Sequence, residues 1–174
     1  DATAANEALK PERLKGAQIA LESHVEKIDF SLTAFVNRLD GAIANVTLGQ
    51  GPGVFPGVGF VAAGGTYRQR QNLDAIRSKG IEADFAYDVS DNLKLHAAYS
   101  YVDARARGVA GLNGKRPAQV PKHNASGGFR FGDKAGLGGS AALRYTSSAF
   151  EDDANLLRLD DALAVDAALR YRFA

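Results

Sequence analysis

The side chains with the clearest chemical potential are cations gathered in one stretch. Arg105, Arg107, Lys115 and Arg116 lie in a long segment after Tyr101 whose one acid is Asp103, at its start. Clustered guanidinium groups offer planar, paired donors to carboxylates, catecholates and phosphates, so the segment is suited to drawing in an anion rather than to breaking a bond. Upstream, Gly49 to Gly65 holds seven Gly and two Pro in seventeen residues. Phe55 and Phe60 within it, and Tyr67 just beyond, would give the same ligand an aromatic contact. Arg105, Arg107, Lys115, Arg116, Phe55 and Phe60 are therefore the candidate ligand-binding residues. The competing readings are contact of the cations with lipid phosphates, or solubility alone, and packing of the aromatic loop onto its neighbours.

Other chemistry finds less support. His24, His96 and His123 stand far apart, the first in what reads as a short turn, the second in mid-strand on a polar face, the third at a rim, which does not suit a metal cluster. Glu151, Asp152, Asp153, Asn155, Asp160 and Asp161 supply oxygen ligands without the spacing of a calcium loop, and they read as a solvated loop. Gly51, Gly53, Gly57 and Gly59 do not form a GxGxxG series and no helix follows, so they indicate loop flexibility rather than a phosphate cradle. Asn45-Val46-Thr47 and Asn124-Ala125-Ser126 fit a glycosylation pattern but fall within strands. No Ser, His and acid set has the context of an activated nucleophile, and the absence of Cys removes disulfides, thiolate zinc sites and cysteine nucleophiles together. Neither an enzyme nor a resident cofactor is expected.

The elements that must position these residues are strands. From Lys15 to the C-terminus the hydrophobic period is two, and no window of a dozen residues keeps a helical period. Leu163, Val165, Ala167, Leu169, Tyr171 and Phe173 share one face, against Ala164, Asp166, Ala168, Arg170 and Arg172 on the other. Leu93 to Tyr101 and Ile28 to Val36 split the same way. Weaker alternation marks Lys15 to Ser23, Lys122 to Phe131 and Ala135 to Ala149. A seventh strand surrounds Ile81, Ala83, Phe85 and Tyr87, but upstream Arg77 and Lys79 fall on its apolar parity, and Gly80 is the natural place for a bulge that resets it.

The connections alternate between short and long. His24 to Glu26, Asp88 to Asp91 and Gly132 to Lys134 read as tight turns, whereas Gly49 to Gly65, Ala104 to Val120 and Glu151 to Leu156 are loops. All five prolines fall outside the alternating cores. A soluble sandwich and a membrane barrel both alternate, but a membrane barrel has short turns on one side and long loops on the other. Assigning the strands alternating directions puts Phe85, Tyr87, Phe129, Phe131, Tyr171 and Phe173 near the short turns, and Tyr99, Tyr101 and Tyr145 near the long loops. Two aromatic girdles of this kind suit the two interfaces of a lipid bilayer.

Composition bounds the rest. The 174 residues carry 21 Lys and Arg against 20 Asp and Glu, a net charge of +1, with no basic stripe of the kind a nucleic-acid binder needs. At 45% hydrophobic and 24% charged residues the chain is not of a disordered class. No segment approaches the ~18 apolar residues of a membrane helix, and the first residues lack the pattern of a secretory leader. A chain that opens on Asp1 and contains no Met reads as a piece of something longer.

Four stretches resemble the C-terminal part of the β-barrel of TonB-dependent outer-membrane receptors, of the siderophore receptor type. Asn6-Glu7-Ala8-Leu9-Lys10-Pro11-Glu12 resembles that family's Asn-x-x-Leu-Lys-Pro-Glu entry into a strand, although Gln18-Ile19-Ala20 departs from the Glu-x-Gly that often follows. Leu32-Thr33-Ala34-Phe35-Val36-Asn37 with Asp40 and Ile43 is similar to the next rising strand. Asn72 to Glu82 resembles the family's Asn, basic residue and Gly-hydrophobic-Glu series and runs on into Tyr99-Ser100-Tyr101-Val102-Asp103. Pro121-Lys122-His123-Asn124 resembles the Pro-x-His that opens a descending strand.

The resemblance implies an all-β, antiparallel up-and-down transmembrane β-barrel, here an open fragment of about seven long strands, since such barrels have about 22. It implies that residues 1–174 belong to the C-terminal region of the barrel, with the plug domain and the last two strands absent. It further implies a bacterial outer-membrane receptor that takes up a metal chelate of the ferric siderophore class. Its partners would be the TonB complex, reached through the missing plug, and outer-membrane lipid and lipopolysaccharide. A complete small barrel of eight strands with a structural or adhesion role is the alternative, and Ala42 to Leu48 would supply its eighth strand. The one-sided loop lengths make a direct expectation. A cysteine placed at Gly111 should react with a membrane-impermeant reagent on intact cells, whereas one at Asp133 should not; the reverse would invert the chain in the membrane.

Overall fold

The structure is a computed structural model that describes residues 1–108, 111–132 and 136–173. The turn expected over Gly132 to Lys134 and the start of the strand expected from Ala135 fall partly outside the described residues, as do two residues of the Ala104 to Val120 loop and Ala174. The chain forms strands β1 (Ala2–Ala4), β2 (Arg13–Val25), β3 (Ile28–Asp40), β4 (Ile43–Gln50), β5 (Gly53–Phe55), β6 (Gly59–Val61) and β7 (Thr66–Asn72). There follow β8 (Ala75–Ser90), β9 (Leu93–Arg107), β10 (His123–Gly132), β11 (Gly136–Thr146), β12 (Ala149–Phe150), β13 (Arg158–Leu159) and β14 (Ala162–Arg172). No helix occurs among the described residues.

The seven long strands make one antiparallel sheet in the order β14-β11-β10-β9-β8-β3-β2. These are the seven expected from the alternation. The sheet is open, with β2 and β14 as its edges. Ala42 to Leu48 does not supply an eighth wall strand, because β4 pairs with β7 in a separate three-stranded sheet whose third member, β1, runs parallel to β7. The Gly-rich stretch is likewise not a plain flexible loop: β5 and β6 pair as a small hairpin within it. His24 is strand rather than turn, since the turn is confined to Glu26 and Lys27, with Glu26 taking the positive φ of 51°.

The expected bulge at Gly80 is absent. β3 and β8 pair without a shift from Ile28↔Tyr87 to Asp40↔Ala75, and the irregularity in β8 lies between Asp88 and Ser90. Gly80 has a different purpose. It faces Phe35 across the strand pair on the polar parity, and a Cβ at 80 would sit 2.1 Å from the Tyr101 backbone oxygen on β9 and 2.7 Å from Cζ of the Phe35 ring. The glycine makes room for an aromatic ring, and the parity of Arg77 and Lys79 is never reset.

The reason those cations sit on the apolar parity is a change of surroundings along the sheet. Over most of its height the face bearing Ile19, Leu95, Leu143, Val165 and Leu169 packs against nothing among the described residues; Val165 is 69% and Leu169 74% exposed. No large side chain among the described residues is fully buried. The opposite face carries His96, Arg144 and Asp166, with Arg144 Nε donating to Asp166 Oδ2 at 2.8 Å. At the long-loop rim the two faces exchange character. There Leu39, Ile76 and Ala106 form one row across three strands on what had been the polar face, and they pack with Ala42, Val46, Leu73 and Leu112 into the chain's small core. Arg38, Arg77 and Arg105 form the neighbouring row on the other face. The wall is greasy outside below the rim and has an ordinary buried inside above it.

Parity makes a quantitative expectation. Val165 faces the unpacked apolar side opposite Leu143, and Ala168 faces the polar side opposite Ser140. Arg at mid-membrane on a lipid-facing position costs ~2–4 kcal/mol. In the full-length barrel refolded into lipid vesicles, Val165→Arg should lower stability by about that amount and Ala168→Arg by well under ~1 kcal/mol. Equal loss from both would mean that both faces are packed.

Candidate ligand-binding mouth

The loops at the long-loop rim are held together by polar side chains that the sequence presents as a solvated acidic stretch. Asp152 is buried, and its carboxylate accepts hydrogen bonds from the backbone N–H groups of Leu156 and Leu157 at 2.9 and 2.7 Å. Asp153 reaches another loop, accepting from Thr47 N at 2.9 Å and from Thr47 Oγ1 at 2.9 Å. Asn155, in the left-handed conformation at φ 59°, makes a reciprocal pair with the Arg116 backbone: Arg116 N donates to its Oδ1, and its Nδ2 donates to Arg116 O, each at 2.8 Å. Gln119 Nε2 donates to Glu151 Oε2 at 3.0 Å. A carboxylate on a backbone donor makes one of the stronger hydrogen bonds; the Asp153–Thr47 contact and the neutral Asn155–Arg116 pair together bind three separate connections into one roof.

The four cations of the expected cluster go to different places. Arg116 turns into the roof: its Nη2 donates to Ser148 O at 2.7 Å, and its guanidinium lies 4.9 Å from the centre of the Phe150 ring. Its Nε finds no hydrogen-bond partner among the described residues. Burial, and then the nearby Arg105, push its pKa below the ordinary guanidinium value, against the opposing effect of Asp103. Lys115 is half-buried beside it, its backbone carbonyl accepting from Ala106 N. Arg105 and Arg107 belong to β9 and share the parity of Tyr99 and Tyr101, so they leave from the other face of the sheet. Arg105 Nε donates to Asp103 Oδ1 at 2.9 Å, and its Nη1 donates to Gly114 O at 3.1 Å.

The aromatic candidates also separate. Phe55 stacks on Tyr67 with ring centroids 4.8 Å apart, so it is occupied within the loop, whereas Phe60 on β6 is 69% exposed. His123 Nδ1 and the Tyr99 hydroxyl are 2.8 Å apart at the upper girdle, and His24 pairs with Asp29 near the short turns. No group of three or more metal-binding side chains converges among the described residues.

Sequence reading missed the residue that faces Arg116 across the mouth. Arg68 on β7 lines, with Arg116, Leu73, Ile76, Asp152 and Asp153, a cavity of about 200 Å³ beneath the roof. Nothing in Thr66–Asn72 announces this, because β7 is held at the mouth by its pairing with β4 and β1. The cavity has an apolar floor, cationic and anionic walls, and an entrance among exposed loops. Its chemistry is that of holding a polar ligand.

Asp152 is the point on which the roof tests most sharply. Asp152→Ala removes the acceptor of the Leu156 and Leu157 N–H groups, which belong to exposed residues and can turn to water, at a cost of about 0.5–1.5 kcal/mol. Hydrogen exchange in the full-length protein should then speed at Leu156 and Leu157 and leave the wall strands unchanged. Unaltered exchange would show that the carboxylate does not hold the loop.

Comparison with known proteins agrees with this architecture. The family model "TonB dependent receptor-like, beta-barrel" matches residues 1–174. The chain is 35% identical over 103 residues to the "Ferrichrome outer membrane transporter/phage receptor" of Escherichia coli (strain K12), covering 57% of this chain and 14% of that protein. It is 30% identical over 106 residues to the "Ferrioxamine B receptor" of Salmonella typhimurium (strain SL1344), covering 58% of this chain and 15% of that protein. Among solved structures, the ferric yersiniabactin uptake receptor FyuA from Yersinia pestis superposes with a TM-score of 0.70 at 11% identity, over 92% of this chain and 22% of that one. The ferric citrate transporter FecA gives 0.70 at 19% identity, over 94% and 24%. These structures share the fold: seven neighbouring strands of a larger barrel wall. The aligned part of the chain covers about a seventh of the length of the ferrichrome and ferrioxamine B receptors, and the chain belongs to the TonB-dependent receptor β-barrel family.

Proposed function

We infer that this chain forms part of the wall and outer mouth of a bacterial outer-membrane receptor that takes up a metal chelate of the ferric siderophore class. The observation that carries the reading is the inverted wall: seven strands whose apolar face touches nothing else in the chain, roofed at one rim by ordered loops, in a sequence matched along its whole length by the receptor barrel family. A lipid bilayer supplies the missing contact for that face, and a closed barrel satisfies the backbone groups that the edges of β2 and β14 leave open. The remaining strands and the plug belong to the rest of the receptor, and the plug would pass energy from TonB.

In this reading the loops capture the ligand and no covalent chemistry is required. Relatives named for ferrichrome and ferrioxamine point to chelated iron as the cargo. Lys115 and Arg116 in the roof segment are the sequence candidates this reading favours for contact, with Phe60 as an exposed ring on β6. Arg68 joins them from β7. Arg105 and Arg107 leave from the other face, and their charge acts on the approach of an anion rather than on its final seat.

The test is uptake of radioactive iron presented as ferrichrome or as ferrioxamine B by cells carrying or lacking the full-length gene. Uptake of at least one chelate should require the gene and a functional TonB, and Lys115→Gln with Arg68→Gln should reduce it about tenfold through weaker binding. Uptake of both that persists without the gene removes these two cargoes. Gene-dependent uptake that ignores TonB refutes the energised mechanism.

A further inference from the structure

The cavity beneath the roof is too small for a whole chelate. Its volume is about 200 Å³, room for roughly six groups the size of a water molecule at ~30 Å³ each, whereas sites that enclose a drug-sized ligand run to ~300–1,000 Å³. What it admits is one arm of a larger molecule. The floor sets the character of that arm: Leu73, Ala106 and Leu112 are buried, and Ile76 packs against them. A short aliphatic stem lies on such a floor without leaving a polar group unpaired.

The hydrogen bonds already made around the cavity decide what the arm carries at its end. Three carboxylates line it, and each has donors of its own. Asp152 accepts from Leu156 N and Leu157 N, Asp153 from Thr47 N and Thr47 Oγ1, and Glu151 from Gln119 Nε2. The cations are in the opposite position. Arg68 stands directly opposite Thr47 with 17% of its side chain exposed, and its one ion pair among the described residues is a long contact of 4.0 Å to Asp1 Oδ2. A guanidinium offers five N–H donors, so Arg68 has donors to spare. Arg116, which also lines the cavity, leaves Nε without a partner. The arm must therefore end in an acceptor.

Charge decides which kind of acceptor. Two arginines against three carboxylates leave the lining with a net formal charge of −1. An anionic end would add to that excess in a space largely closed to water, where an uncompensated charge is costly. An ammonium end would meet carboxylates already supplied with donors, beside the spare donors of Arg68. A neutral carbonyl avoids both conflicts.

We propose that this cavity is a specificity pocket for one neutral acyl arm of the chelate, a stem of about two to four carbons ending in an amide or ester carbonyl that accepts from Arg68. The proposal rests on the receptor reading above and deepens it. The iron-bearing body stays in the mouth outside the cavity, and the arm that enters decides which chelates are held. Asp152 and Asp153 shape the wall and turn away acidic arms.

The experiment uses the full-length receptor in detergent. Butanamide, butanoate and butylammonium share one stem and differ at the end, and their binding is measured by saturation-transfer NMR. Butanamide should bind about three- to tenfold more tightly than either charged probe. Arg68→Met keeps the length of the side chain and removes its donors, and it should abolish that preference. Equal binding of the three probes, a preference for butanoate, or no binding of butanamide overturns the pocket; a preference that survives Arg68→Met overturns the assignment of its donor. If the variant fails to assemble, the three probes on the wild type decide alone. In cells, capping the free amine of ferrioxamine B with an acetyl group should lower the KM of gene-dependent iron uptake about tenfold relative to a succinyl cap, which ends in a carboxylate; equal KM values for the two caps overturn the role of the pocket in selecting chelates. Butanamide binding without gene-dependent uptake of any of these chelates or of ferrichrome refutes the receptor reading for these cargoes. Gene-dependent uptake without the butanamide preference refutes only the pocket.

Discussion

The structure depends on a sheet face that none of the described residues covers. A strand that buries its apolar residues against a second sheet has its stability supplied from within; here Ile19, Val165 and Leu169 find no such partner. The contact that stabilises them has to come from the surroundings, at about 25 cal/mol for each Å² of apolar surface removed from water. That single requirement accounts for the continuous backbone ladders between the two edge strands, and for the placement of aromatic rings near both ends of the band. It also accounts for the near absence of a core. The buried residues are mostly small, and they gather beneath the loops rather than between sheets.

Where that requirement ends, the architecture changes within one strand. On β3 the apolar series Leu32, Ala34 and Val36 gives way to Arg38 on the same face, while Leu39 turns apolar on the other. On β8 the same crossing separates Ile81 from Lys79 and Arg77. Neither strand needs a bulge, because the backbone does not change parity; the solvent does. The loops above this boundary obey the ordinary rules of soluble proteins, with buried aliphatic residues and ionised acceptors such as Asp152 and Asp153 tied to backbone donors. A membrane wall and a water-soluble mouth therefore share the same strands.

This division gives a functional logic to the charges. Cations on the mouth side of the boundary, Arg68 and Arg116, stand among loops, where one is already engaged in holding the roof. Cations on the wall side, from Lys15 to Arg105, leave from the opposite face, on the parity of the apolar band. Along β9 and the segment after it, Arg105 and Arg116 are neighbours in sequence and in electrostatic effect, yet they are directed to different environments.

By itself the sequence determined the wall. Period-two alternation, the placement of Pro and the alternation of short and long connections specify seven strands, their directions and their facing, because each depends on local backbone geometry and on residues two apart. The four motif stretches specified the family for the same reason, being short and ordered along the chain. Tertiary structure decided what happens at the mouth. Whether Arg116 turns into the roof is set by Asn155 and Ser148, more than 30 residues away, and whether Gly80 marks a bulge is set by the neighbouring strands; Asp152 is tied to backbone donors four and five residues on, in a loop that local spacing presents as solvated. Arg68 comes to the cavity through a strand pairing that no local pattern encodes. Alternation records which side of a strand is apolar, but only the folded sheet fixes the height at which lipid gives way to water, and that height decides what each charged side chain meets.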